Sequence, residues 1–193
     1  DSVSKNYIKM TLQELEAFGF RFSINQNTYQ FESFDKPNEI IPVLESDYSA
    51  ISNFAVLAAL CGDITINNVS KETRQSDSYI FDILSSCGAK IDWYENKVRI
   101  SRSEISPFEV DIKNCIDLGP ILFMLAASIK GTSIIKGYEN LRYKETNRLD
   151  NVINQLKAYG ANVVEEDNAL YITGREYLFK SFEFDSFIKS YKT

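Results

Sequence analysis

A chain of 193 residues with 44% hydrophobic content, 13 Phe and 11 Tyr carries enough apolar material for one large core or two small ones, which excludes a disordered or fibrous class. Its net charge of −6 and pI near 4.8 exclude broad attraction to nucleic acid or to an anionic membrane, so an anionic ligand has to be held by a local cluster of cations. The absence of histidine removes imidazole catalysis and the common zinc sites, and the three cysteines, Cys61, Cys87 and Cys115, lack metal or disulfide spacing and read as buried thiols in a reducing compartment.

In chain order, the first pattern is a helix that ends at Gly19, followed by an extended run, a turn at 25–27 and a returning strand at 28–32. Residues 49–60 read as an apolar helix closed by Gly62, and 63–69 as an alternating strand. A second helix then ends at Gly88, and a hairpin turning at Glu95-Asn96 returns through 97–101. The order repeats: helix 118–129, Gly131, strand 132–136, a helix ending at Gly160, a turn at 166–168 and a strand at 169–173, with 182–187 as a last strand.

One punctuation therefore occurs three times, as Leu15-Glu-Ala-Phe-Gly19-Phe-Arg-Phe22, Leu84-Ser-Ser-Cys-Gly88-Ala-Lys-Ile91 and Leu156-Lys-Ala-Tyr-Gly160-Ala-Asn-Val163. Its glycines are 69 and 72 residues apart (88 − 19 and 160 − 88), too long a period for helical or leucine-rich solenoids, which repeat at about 20–50 residues. The fold class that fits is α/β, built from repeated βαβαββ units of which about two and a half are present. The first unit is incomplete, and the chain reads as cut from something longer at both ends. The longest apolar run, 121–129, is too short to span a bilayer, and no signal peptide pattern is present, which gives a cytoplasmic expectation.

The densest chemistry lies in Asn140-Leu-Arg-Tyr-Lys-Glu-Thr-Asn-Arg148, which sets three cations around one acid in an otherwise acidic chain. Placed at a helix start, where free amides and the macrodipole already favour negative charge, Arg142, Lys144 and Arg148 form a candidate anion site with Glu145 as a proton carrier. The bland alternative is a solvated first turn in which Glu145 pairs with Lys144 or Arg148. Asp117 precedes the 118–129 helix, where it can cap, and Asp47 with Ser49 can cap the 49–60 helix in the same way.

These residues, taken together, resemble the 5-enolpyruvylshikimate-3-phosphate (EPSP) synthase family over nearly the whole chain. Ser4-Lys-Asn-Tyr7-Ile resembles the family's Ser-Lys-Pro-Tyr-Ile, Glu45-Ser-Asp47-Tyr-Ser49 its Glu-Gly-Asp-x-Ser, and Gln75-Ser-Asp77 its Gln-Gly-Asp. Asp117-Leu-Gly-Pro120 resembles its Pro-Asp-x-x-Pro, and the run from Leu141 to Arg148 resembles its Leu-Arg-x-Lys-Glu-Ser/Thr-Asp-Arg, the most specific of the five. Departures are Ile116 in place of Pro, Asn147 in place of Asp, Ala50 in place of a second Ser and Ser46 in place of Gly.

The resemblance implies the enolpyruvyl transferase fold and a cofactor-free, metal-free reaction between shikimate 3-phosphate and phosphoenolpyruvate, small-molecule substrates of an enzyme that is monomeric and binds neither nucleic acid nor membrane. It implies Asp117 as the base for the 5-hydroxyl, doubling as a helix cap; Lys144 at a substrate hydroxyl; Glu145 in proton transfer at the methylene carbon; and Arg148 on the phosphoenolpyruvate carboxylate or phosphate. Ser4, Tyr7 and Asn140 are implied as contacts of the shikimate phosphate, with Arg142 bracing the loop. Residues 1–43 would end one globular half and 44–193 would form most of the second, with the segment 44–48 a strand connecting them. Two rivals remain open: a UDP-N-acetylglucosamine enolpyruvyl transferase, whose pattern lacks the Lys-Glu-Thr/Ser-Asp-Arg run, and a non-catalytic module on the same repeat.

Overall fold

The computed structural model describes residues 5–26, 28–36 and 44–175. Among these the elements run α1 (Lys5–Ala17), β1 (Phe20–Asn25), β2 (Thr28–Phe34), α2 (Tyr48–Cys61), β3 (Asp63–Asn67), α3 (Tyr79–Ser86), β4 (Lys90–Tyr94) and β5 (Lys97–Ser101). They continue as β6 (Glu109–Asp111), α4 (Gly119–Ser128), β7 (Gly131–Lys136), α5 (Arg148–Ala158), β8 (Asn162–Glu166) and β9 (Ala169–Gly174), with short 3-10 turns at Ser76–Ser78, Ile116–Leu118 and Glu139–Tyr143. From β6 to β9 the order is β, α, β, α, β, β, one complete repeat of the unit read from the sequence.

Gly19, Gly88 and Gly160 take φ of 90°, 100° and 87°, the left-handed region that closes a helix and that a Cβ disfavours. Each then feeds an antiparallel hairpin: β1 with β2, β4 with β5 and β8 with β9. The β1–β2 hairpin is a two-stranded sheet by itself, whereas the other two belong to larger sheets, ordered β3-β5-β4 and β6-β7-β9-β8; the one parallel pairing described, β6 with β7, is bridged by α4. The expected strand at 44–48 is absent: 44–47 carries no strand pairing, and Tyr48 begins α2. Asp47 explains why, since its carboxylate accepts from the amides of Ser49 and Ala50 and so starts a helix there.

The core lies around α2 and α4. In α4, Leu122, Phe123, Leu125, Ala126 and Ala127 are all buried, a pattern that leaves no polar face and belongs to a central helix. In α5 only Leu149, Ile153 and Leu156 are buried, one stripe of an edge helix. The cysteines divide: Cys87 and Cys115 are buried, with the Cys115 thiol pushed up to about 12 mainly by desolvation, whereas Cys61 at the end of α2 is exposed, against expectation. No helix among the described residues is long and apolar enough to cross a membrane.

Candidate active site

The repeat stacks its units so that several helix starts meet at one end. Ser49 at the start of α2 donates to Asp77 Oδ2 in the turn before α3. Asp117, in the turn before α4, meets Arg148, the first residue of α5, at 3.0 Å and Lys144 at 3.1 Å. Arg148 reaches Glu145 with its other terminal nitrogen at 2.6 Å. These side chains border one open cavity of about 510 Å³, which Asp47, Ser49, Asp117, Lys144, Glu145 and Arg148 line with apolar contributions from Pro120 and Ile121. Asp117, Lys144, Glu145 and Arg148, expected to converge, do so.

The physical reasons differ in part from those read in the sequence. Lys144 and Arg148 share a side without sharing a helix, because α5 begins only at Arg148 and Lys144 follows the Glu139–Tyr143 turn. Asp117 does not cap α4: the capping position is Leu118, and no side chain there closes the helix, so the carboxylate is committed to the two cations. Asn147, in place of the family's Asp, still caps α5 by accepting from the Asp150 amide at 3.1 Å, as Asn and Asp do about equally well.

The cluster is also less cationic than its sequence suggests. Arg142 points away, where one Nη2 lies 3.0 and 2.7 Å from the two oxygens of Glu165 and its Nε lies 3.4 Å from Asp150, so it braces the loop. Around the cavity that leaves two cations, Lys144 and Arg148, against three carboxylates, Asp47, Asp117 and Glu145. Glu145 is exposed, and a hydrogen bond from its own amide, then the Arg148 guanidinium, hold its carboxyl below the usual range. Asp117 and Glu145 are thus paired with the two cations of the cavity lining.

Tyr7 of α1 approaches the same junction. Its phenol is held well above its ordinary value by burial first, then by the charges of Asp77 and Asp117, which places it beside both carboxylates. Asn140 sits half-buried in the Glu139–Tyr143 turn and does not line the cavity. Ser4 lies outside the described residues.

Sequence reading gave no role to Asp77 or Glu165. Asp77 is 1% exposed with Oδ1 unpartnered, and desolvation raises its pKa above the ordinary carboxylate value. Its signal was present in the Gln75-Ser-Asp77 motif, but nothing in that motif says that the carboxylate is buried. Glu165 sits in the hairpin strand Asn-Val-Val-Glu-Glu beside Glu166, where a charged pair reads as a solvated face; its pairing with Arg142 crosses 23 residues of chain.

Comparison with known proteins agrees with the motifs. The model of the EPSP synthase (3-phosphoshikimate 1-carboxyvinyltransferase) family matches residues 1–188. The chain is 35% identical over 171 residues to the 3-phosphoshikimate 1-carboxyvinyltransferase of Dehalococcoides mccartyi, covering 87% of this chain and 40% of that protein. With the Pyrococcus furiosus protein of the same name it shares 36% over 174 residues, covering 89% and 43%. The solved EPSP synthase of Acinetobacter baumannii superimposes with a TM-score of 0.67 at 22% identity, over 86% of this chain and 40% of that one, a likeness of fold. The chain thus spans about 40% of the length of the curated relatives it matches. With the repeated unit, the converging helix starts and the Lys144-Glu145-Thr146-Asn147-Arg148 run in place, the chain belongs to the EPSP synthase family.

Proposed function

We propose that this chain carries one wall of an enolpyruvyl transfer site, where the 5-hydroxyl of shikimate 3-phosphate adds to C2 of phosphoenolpyruvate and phosphate leaves. The observation that carries the reading is the Asp117 carboxylate held between Lys144 at 3.1 Å and Arg148 at 3.0 Å at the edge of an open cavity. Arg148, freed from the carboxylates, takes a phosphoenolpyruvate carboxylate or phosphate, for which a planar fork of donors is suited. Lys144 moves to the sugar hydroxyl. Asp117, stripped of its cations, then accepts the hydroxyl proton as the C–O bond forms.

Protonation of the methylene carbon falls to Glu145. Glu145, held as a carboxylate by its own amide and by Arg148, takes up a proton from solvent as Arg148 turns to the substrate and then delivers it to the carbon. The resulting tetrahedral adduct collapses when C–O cleavage expels phosphate and a methyl proton returns to base. Tyr7, Asn140 and Ser4 are proposed to contact the shikimate phosphate. Residues 1–43 are assigned to the end of one globular half and 44–193 to most of the other, in a cytoplasmic, monomeric enzyme that needs no metal or cofactor. The partial span of the relatives implies that further cationic groups come from regions beyond the matched span.

The test has two arms. The purified chain, assayed with both substrates, is expected to show no turnover, because phosphates are left underneutralised and the cleft open to water. Rates on the order of 1–1,000 per second would reject that. In a protein extended to the relatives' length, Asp117→Ala is expected to lower kcat roughly 100-fold or more with a smaller change in phosphoenolpyruvate KM. Unchanged turnover removes Asp117 from the chemistry.

A further inference from the structure

Below the cavity lies a second pair of groups that the proposed chemistry does not use. Asp77 is 1% exposed, carries one unpartnered oxygen and receives the Ser49 hydroxyl proton on the other. Ser49, half-buried, lines the cavity alongside Asp117 and Lys144. A serine hydroxyl has one proton and two lone pairs. With that proton given to Asp77, Ser49 can meet a ligand only as an acceptor. Phosphate and carboxylate oxygens are acceptors too, so Ser49 cannot bind them; a ligand hydroxyl can donate to it.

The cavity lining therefore holds two kinds of group: Lys144 and Arg148 supply donors, and Ser49 supplies an acceptor. We propose that Ser49 is a specificity-determining residue that accepts a hydrogen bond from a hydroxyl of a polyhydroxylated anionic ligand, and that the buried Asp77 is the positioning residue that makes it an acceptor by taking its proton. This deepens the reading above and rests on it for the choice of ligand. Tyr7 of α1 shares this junction, its phenol interacting with both Asp77 and Ser49.

The experiment is calorimetric or NMR titration of the protein extended to the relatives' length with shikimate 3-phosphate, its 4-deoxy and 5-deoxy analogues, and inorganic phosphate. One deoxy analogue is expected to bind about 10-fold more weakly than shikimate 3-phosphate, the loss of one hydrogen bond. Ser49→Ala erases that difference without weakening inorganic phosphate, and Ser49→Thr restores it. Asp77→Asn and Asp77→Val remove the same charge, but only Asn retains an acceptor for the Ser49 proton. Asn is expected to keep the discrimination, and Val to lose it while tightening inorganic phosphate relative to Asn.

If shikimate 3-phosphate binds more tightly than inorganic phosphate but Ser49→Ala leaves the deoxy ratios unchanged, the inference fails and the functional reading stands. If shikimate 3-phosphate binds no more tightly than inorganic phosphate, or neither binds, both fail. A Val variant that discriminates as Asn does also overturns the role of Asp77.

Discussion

The hairpin β1–β2 and the hairpin β8–β9 follow the same helix-Gly signal, yet they end in different environments. Every residue of β2 is exposed, and α1 buries none of its residues. In β9, by contrast, Ala169, Leu170, Ile172 and Gly174 are buried against α4 and the β7 edge. The difference does not come from composition, since Phe20, Phe22, Phe31 and Phe34 gather into an aromatic cluster with Phe20 and Phe34 rings 4.8 Å apart. Local signals close a helix and turn a hairpin; burial needs the rest of the unit beside it.

The widest test of that contrast is a matched pair of aromatic truncations. Phe123, fully buried in α4, is expected to cost about 3–5 kcal/mol as Phe123→Ala in urea unfolding of the main body. Phe31, 55% exposed, is expected to cost about 1 kcal/mol or less as Phe31→Ala, the value of a ring contact alone. Equal losses would mean that the hairpin is packed as firmly as the body. Amide exchange should follow the same division, with α4 amides the slowest and β2 amides fast.

A smaller effect tests whether the site's loop is braced from the neighbouring hairpin. Glu165 is held below the usual carboxylate range by Arg142 first, with Tyr138 also donating at 3.0 Å. Glu165→Gln is expected to cost about 1 kcal/mol at neutral pH, since the pair is partly exposed and screened. The sign is fixed: a depressed folded pKa gives stability that is present above the unfolded value near 4.3 and lost as pH falls through the folded one. The advantage of wild type over Glu165→Gln should therefore shrink on acidification. An advantage that grows in acid would show that Arg142 does not hold Glu165 as an anion.

Much of this arrangement was legible in the residues, and what was not has a common cause. The glycines at 19, 88 and 160 mark three helix ends because only the left-handed conformation closes a helix there, and all three have that conformation. The convergence of Asp117 with Lys144 and Arg148 followed from the motifs on a repeated scaffold. The capping role of Asp117, the cationic excess and the strand at 44–48 did not hold, because each depended on where a side chain finds its partner. Arg142 reaches from its turn to Glu165 in β8, and Asp117 finds cations from 27 and 31 residues on (144 − 117 and 148 − 117). Spacing along a helix carries no record of such contacts. Burial of Asp77 is the same case: its motif is polar, and its depth is set by α2 and α3, which pack on the Ser76–Ser78 turn.

The smallest expected effect is a slope of opposite sign at Asp77. Burial raises the Asp77 pKa, with the neighbouring Asp117 charge adding to it and the Ser49 hydrogen bond opposing it. A carboxyl whose folded pKa lies above its unfolded value of about 3.9 contributes stability below that value and loses the contribution as pH rises through the folded pKa. Asp77→Asn has no such group, so its stability relative to wild type should improve from about pH 3 to neutrality, whereas that of Glu165→Gln should worsen over the same acid range. Urea unfolding of the three proteins at several pH values reads both slopes at once. If the Asp77→Asn curve worsens towards neutrality instead, the folded protein stabilises Asp77 as an ion, and the donors Ser49 and Tyr7 outweigh its burial.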